Sequence, residues 1–189
     1  PLALTAEINL HIPALLTQEY CPDVHERLML YKRLANCEDD DELRLLQEEL
    51  IDRYGALPNQ SLALLETHRI RLGARALGIK KVDACQSGLR GAALDPFFTG
   101  KVAMKVDGNW FINGIARYKP TLDFVIAPAA IQLQFIPNPP IDPAKIIQLI
   151  QKERTIKLAG QDKLSWQKST ATLQERVSAI HQLFAKLAN

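Results

Sequence analysis

The 189-residue chain reads as an α+β domain, with N-terminal helices followed by a small, mostly antiparallel sheet and two further helices packed on it. Three observations predict this class. Residues 22–78 hold three successive apolar patterns at helical spacing. From Ile79 onward, short alternating runs separated by turn residues take over. Two more helical patterns interleave with the later strands, an order unlike that of a wound nucleotide-binding sheet.

Residues 1–21 read as an extended lead-in from an upstream domain, with a short strand at 7–10 and Pro13 resisting continuation. Pro22 suits a first helical turn and Asp23 the positive end of that helix. Val24, Leu28, Tyr31 and Ala35 repeat at helical spacing, so this helix is expected to run to about Asn36. Asp39, Asp40 and Asp41 start a second helix, and Gly55 suits the left-handed cap that ends it. After Leu57-Pro58-Asn59 a third helix carries Leu62, Leu65, Leu72 and Ala76 and closes at Gly78.

A strand is expected at 80–86 and a loop at 88–93. Val102, Met104 and Val106 alternate up to Asp107-Gly108-Asn109, and 110–118 runs back, because Asp-Gly tolerates the positive φ of a tight hairpin. Another strand is expected at 131–136. Asp142 as N-cap and Pro143 at N1 open a helix with Ile146, Ile147 and Ile150. Residues 155–158 and 164–168 form a second hairpin around Gly160. Thr172 and Glu175 form a capping box for a last helix with the stripe Leu173, Val177, Ile180, Phe184 and Leu187.

The composition, 47% hydrophobic and 23% charged, is that of a globular protein. A net charge of +2, with dispersed basic residues, gives no electrostatic argument for nucleic acid as the main ligand. Three cysteines without CxxC spacing fit a reducing, cytoplasmic setting better than a disulfide framework. No run reaches transmembrane length. The start at Pro1, without an initiator Met, suggests a piece of a longer protein.

No phosphate-binding loop is present, nor GxGxxG, nor GxSxG. The stretch 158–165 lacks the first glycine of a phosphate loop, and Lys163 is not followed directly by Ser or Thr. Cys21 and His25 stand one helical turn apart, but no further ligands have complementary spacing for a metal. His181 beside an apolar stripe reads as a core-edge histidine. The acids at 39–42 are better explained by the helix macrodipole than by a cation. Neither a catalytic residue, a cofactor site nor a metal site is therefore assigned.

The second helix is asymmetric. At about 100° per residue, Leu43, Leu46, Leu50, Ile51 and Tyr54 fall on one side, and Glu42, Glu48, Glu49 and Asp52 on the other, with Leu45 among these acids. Two readings stand side by side. The face is either solvated with one exposed leucine, which is common, or a contact surface for a basic, partly apolar partner.

The segments EINL, YCPDVHERLMLYKRLA, ELIDRYGALP, LGIKKVD, PAKIIQLIQKE and LAGQDKLSW, taken in order, resemble the C-terminal domain of the bacterial transcription-repair coupling factor. The resemblance covers 7–86 and 130–187. It implies a noncatalytic, autoinhibitory regulatory domain spanning 22–189, with an inserted hairpin segment at about 88–129. The parent it implies is an ATP-dependent DNA translocase that displaces stalled RNA polymerase from damaged DNA. ATP and Mg would belong to the upstream motor, and this segment would carry no cofactor. The implied partner is the amino-terminal, repair-protein-like module of the same chain, which binds the damage-recognition ATPase of excision repair. By the same resemblance Glu49 and Asp52 match acids that contact arginines of that module, with Arg53 adjacent and Leu45 neighbouring.

The reading from another class is an independent nucleic-acid-binding module built on the Trp110 hairpin. Its surface would comprise Trp110, Phe111, Lys101, Lys105, Arg117 and Lys119.

Overall fold

The computed structural model describes residues 5–84 and 129–188 in full and, between them, the backbone of Cys85 and of five short strands. Its elements are β1 (Glu7–Asn9), α1 (Val24–Asn36), α2 (Asp40–Tyr54), α3 (Asn59–Ala76), β2 (Ile79–Cys85), β3 (Gly88–Arg90), β4 (Ala103–Val106), β5 (Asn109–Ile112), β6 (Ala116–Tyr118), β7 (Val125–Ala127), β8 (Ala130–Phe135), α4 (Pro143–Lys152), β9 (Ile156–Leu158), β10 (Lys163–Gln167) and α5 (Leu173–Ala188). The α+β class is as the sequence predicts.

The main sheet has the order β1-β2-β8-β10-β9. β1 runs parallel to β2, and the other pairs are antiparallel. One face is apolar and carries Val82, Ala84, Ile131, Leu133, Leu164 and Trp166, all buried. Lys81, Asp83, Gln132 and Gln134 alternate with them on the other face. α5 covers the apolar face with Val177, Ile180, Leu183, Phe184 and Leu187, and its capping box forms as expected: Glu175 N–H donates to Thr172 Oγ1 at 3.2 Å and Thr172 N–H to Glu175 Oε2 at 3.4 Å. The chain between β2 and β8 leaves and returns at paired residues, Cys85 opposite Ala130.

A second core joins α1, α2 and the first half of α3 through Leu30, Leu34, Leu43, Leu46, Leu50, Leu64 and Leu65. α3 links the two cores, because its later residues Ile70 and Ala74 belong to the sheet cluster. Its 18 residues span about 27 Å at the helical rise, enough to reach both. The lead-in is tied into the same two cores. Leu10 lies in the first and Leu16 and Cys21 in the second. Leu16 N–H donates to the Tyr31 hydroxyl at 2.8 Å, and buried Arg176 donates to the carbonyls of Leu10 and Thr170.

Several sequence expectations are corrected by these contacts. Asp23, not Pro22, ends the approach to α1 as its N-cap, accepting from Glu26 N–H at 2.8 Å. Val24 and Leu28 are exposed at 60% and 56%, while Leu30 and Leu34 are buried. α1 carries two apolar stripes, and the docking of the lead-in and α3 selects the second. Ile51 and Ile147 are exposed, and Leu149 takes the buried place in α4. Leu62 and Leu72 are only half-buried and Ala76 is exposed, because α3 is packed on several sides rather than along one stripe. The expected loop at 88–93 contains β3, which pairs with β7, and the return arm 110–118 is two strands, β5 and β6. The β4–β5 hairpin forms with Val106 opposite Asn109. The side chains of Trp110, Phe111, Lys101, Lys105, Arg117 and Lys119 lie outside the described residues.

Gly78 is required where it stands. Its φ is +65°, and a Cβ there would lie 2.6 Å from Pro140 Cδ.

Candidate interdomain contact site

α2 begins and ends on local chemistry. Asp39 Oδ1 accepts from Glu42 N–H at 2.9 Å, and Glu42 Oε2 accepts from Glu38 N–H at 2.9 Å. Asp40, Asp41 and Glu42 fill the first turn and Arg53 the last, in the sense the helix dipole favours. The acidic start is thus a helix cap. Gly55, at φ +85°, closes the helix with its N–H on the Ile51 carbonyl at 2.8 Å.

Burial of Leu43, Leu46 and Leu50 fixes the rotation of the helix and turns Leu45 outward, 58% exposed. At helical spacing Asp41, Glu48, Glu49 and Asp52 surround it. These acids are not equivalent. Glu48 and Asp41 are both reached by Arg44, at 2.7 and 3.8 Å. Glu49 is gripped by the fork of Arg33 from α1, with Arg33 Nη1 donating to Oε1 at 2.8 Å and Nη2 to Oε2 at 2.6 Å. Arg53 adds a longer bond to Glu49 Oε1 at 3.5 Å while donating to Glu26 Oε1 at 2.7 Å. The Tyr54 hydroxyl donates to the other oxygen of Glu26. Asp52 has no ion-pair or hydrogen-bond partner among the described residues.

The network changes proton affinities in the expected senses. The hydrogen bonds from Arg33 hold the Glu49 carboxyl below the ordinary carboxylate range, and Glu49 in turn raises Arg33. The Tyr54 hydroxyl, followed by Arg53, lowers Glu26 despite opposing desolvation. Burial pushes the Cys37 thiol up, which disfavours thiolate chemistry there. A groove of about 370 Å³ is lined by Arg33, Asn36, Cys37, Glu42, Leu45 and Glu49.

All four sequence-assigned residues lie on α2. Arg53 and Glu49 are in contact, and Leu45 shares the groove with Glu49. Arg33, Glu26 and Tyr54 complete the network and were not assigned from sequence. Elsewhere Cys21 is fully buried and His25 exposed, and among the described residues no group of three or more His, Cys, Asp or Glu is placed to hold a metal ion. His181 lies 3.7 Å from Glu66 and edge-on to Phe184, as a core-edge histidine should.

Residues 10–94 match the family model described as the TRCF domain. Over these residues the chain is similar to a TRCF domain. The transcription-repair-coupling factor of Escherichia coli K12 is 42% identical to it over 82 residues, which is 43% of this chain and 7% of that protein. That of Haemophilus influenzae is 43% identical over 83 residues, 44% of this chain and 7% of its own length. That of Myxococcus xanthus is 35% identical over 77 residues, 41% of this chain and 6% of its own. The chain therefore spans 7% of the length of the first two relatives. A crystal structure of the C-terminal domain of a transcription-repair coupling factor has the same fold, with a TM-score of 0.62 at 17% identity over 97% of this chain and 92% of that one. The TRCF domain match includes α1, α2 and the whole Glu26–Arg33–Glu49–Arg53 network. Among the described residues no helix is long and apolar enough to cross a membrane.

Proposed function

We propose that this TRCF domain is a noncatalytic regulatory module of a transcription-repair coupling factor. It holds the parent in a repressed state by latching onto the parent's amino-terminal module through the outer face of α2. The latch covers the surface that recruits the damage-recognition ATPase of excision repair. The parent would displace stalled RNA polymerase from damaged DNA in the cytoplasm, using ATP and Mg in motor modules outside this segment.

The observation that carries this reading is Leu45, 58% exposed and ringed by acids of which Asp52 has no partner among the described residues. A leucine in that setting gains on docking by leaving water, about 1.5–3 kcal/mol if fully buried. The free carboxylate selects a cationic patch on the partner and steers its approach. Leu45 is the anchor, Asp52 the free charge, Glu49 a second charge already bonded within the domain, and Arg53 a neighbouring cation that pairs with Glu26 and adds a longer bond to Glu49.

The test is charge reversal, Glu49→Lys with Asp52→Lys, in the full-length factor. Opening of the latch should raise its affinity for the repair ATPase in calorimetry, and unchanged affinity would sink the proposal.

A further inference from the structure

Glu49 is the acid of the latch with least to offer a newcomer. A carboxylate accepts about four hydrogen bonds, and Glu49 already takes two from Arg33 and one from Arg53. Arg53 is committed more closely to Glu26, at 2.7 Å against 3.5 Å. Arg33 pairs with no other carboxylate among the described residues. The pair is reachable from solvent, with side-chain exposures of 48% for Arg33 and 34% for Glu49. A forked guanidinium on a carboxylate is also the geometry that an arginine of a docking partner would seek.

We propose that Arg33 is an internal competitor for the docking cation: it occupies Glu49 in the undocked domain, so that docking exchanges one guanidinium for another. The inference rests on the reading of α2 as the latch and concerns how that latch is released. Because one charge-assisted pair replaces another, the contact at Glu49 adds little net affinity, and closure depends on Leu45 and Asp52. When the partner leaves, Arg33 recaptures Glu49 and no carboxylate is stranded. Glu42 lines the same groove and gives the displaced Arg33 a second acid to turn to. A clamp built in this way closes weakly enough to be opened by a competing contact elsewhere in the parent.

The experiment compares Arg33→Gln, Arg33→Lys and Asp52→Lys in the full-length factor, with binding of the repair ATPase as the readout. Arg33→Gln removes the competitor, and the tightened latch should lower that affinity about two- to fivefold, the range of an exposed ion pair. Arg33→Lys keeps the charge but loses the fork and should fall between Arg33→Gln and the parent. Asp52→Lys should raise the affinity. If Asp52→Lys raises it while Arg33→Gln leaves it unchanged or raises it, the competitor role is overturned and the latch stands. If Asp52→Lys has no effect, the latch itself fails, and the role of Arg33 with it.

Discussion

Arg33 and Glu49, sixteen positions apart on neighbouring helices, meet fork to fork at 2.8 and 2.6 Å. The pair links α1 to α2 at the rim of the groove beside Leu45, adding to the leucine core and the Glu26 contacts that join the same helices, and it bears on the charge state of the proposed latch. Its energetic share should be small, because both side chains are substantially exposed. A double-mutant cycle with Arg33→Gln and Glu49→Gln, read by urea unfolding, should give a coupling of about 0.2–1 kcal/mol that shrinks at high salt.

The two sides of α2 should respond in opposite ways to truncation. Leu45→Ala should change stability by less than about 0.5 kcal/mol, as for an exposed site. Leu43→Ala, at a fully buried position, should cost about 2–5 kcal/mol. Thermal and urea melts of the two variants check the assignment of faces directly.

His68 is the site at which mild acid should act on the fold. Burial, followed by the neighbouring Arg71 charge, lowers its pKa to about 4, and Arg71 Nη1 lies 3.0 Å from its Nδ1. The folded value lies below the unfolded one of about 6.5, so the unfolded chain binds more protons between the two. Stability is therefore full above about pH 6.5 and declines as pH falls toward 4, by on the order of 2 kcal/mol after allowance for partial exposure. Replacing His68 by Gln should flatten this part of a melting-temperature profile. Glu49 works in the same direction at lower pH. Its depressed value contributes stability above the ordinary carboxylate range and loses it as pH falls through the folded value.

Gly78→Ala should destabilise the domain by about 1–3 kcal/mol. It places a Cβ at a positive φ and against Pro140, so the 136–141 loop must shift. Denaturant titration of the variant measures the loss, and an unchanged midpoint would mean that the loop yields freely.

Much of this was legible because it is local. The caps at Asp39, Asp142 and Thr172 are made within two to four residues, and Gly55 needs only its own φ, so the ends of these elements follow from the chain itself. Leu45 was placed among acids by helical spacing alone. The buried side of α1 was not legible, because its two apolar stripes differ only in what docks on them. Arg33 was equally hidden: nothing in PDVHERLMLYKRLA says that it crosses to Glu49, since that depends on how α1 packs beside α2. Arg176 gave no sign either, because its partners are the carbonyls of Leu10 and Thr170 rather than a nearby acid.

The most direct measurement is a calorimetric titration of this chain with the purified amino-terminal module of its parent, repeated with Leu45→Asp and with Asp52→Lys. The latch predicts saturable, salt-sensitive binding that each substitution weakens by about tenfold or more. Absence of binding, or binding that neither substitution alters, would contradict it.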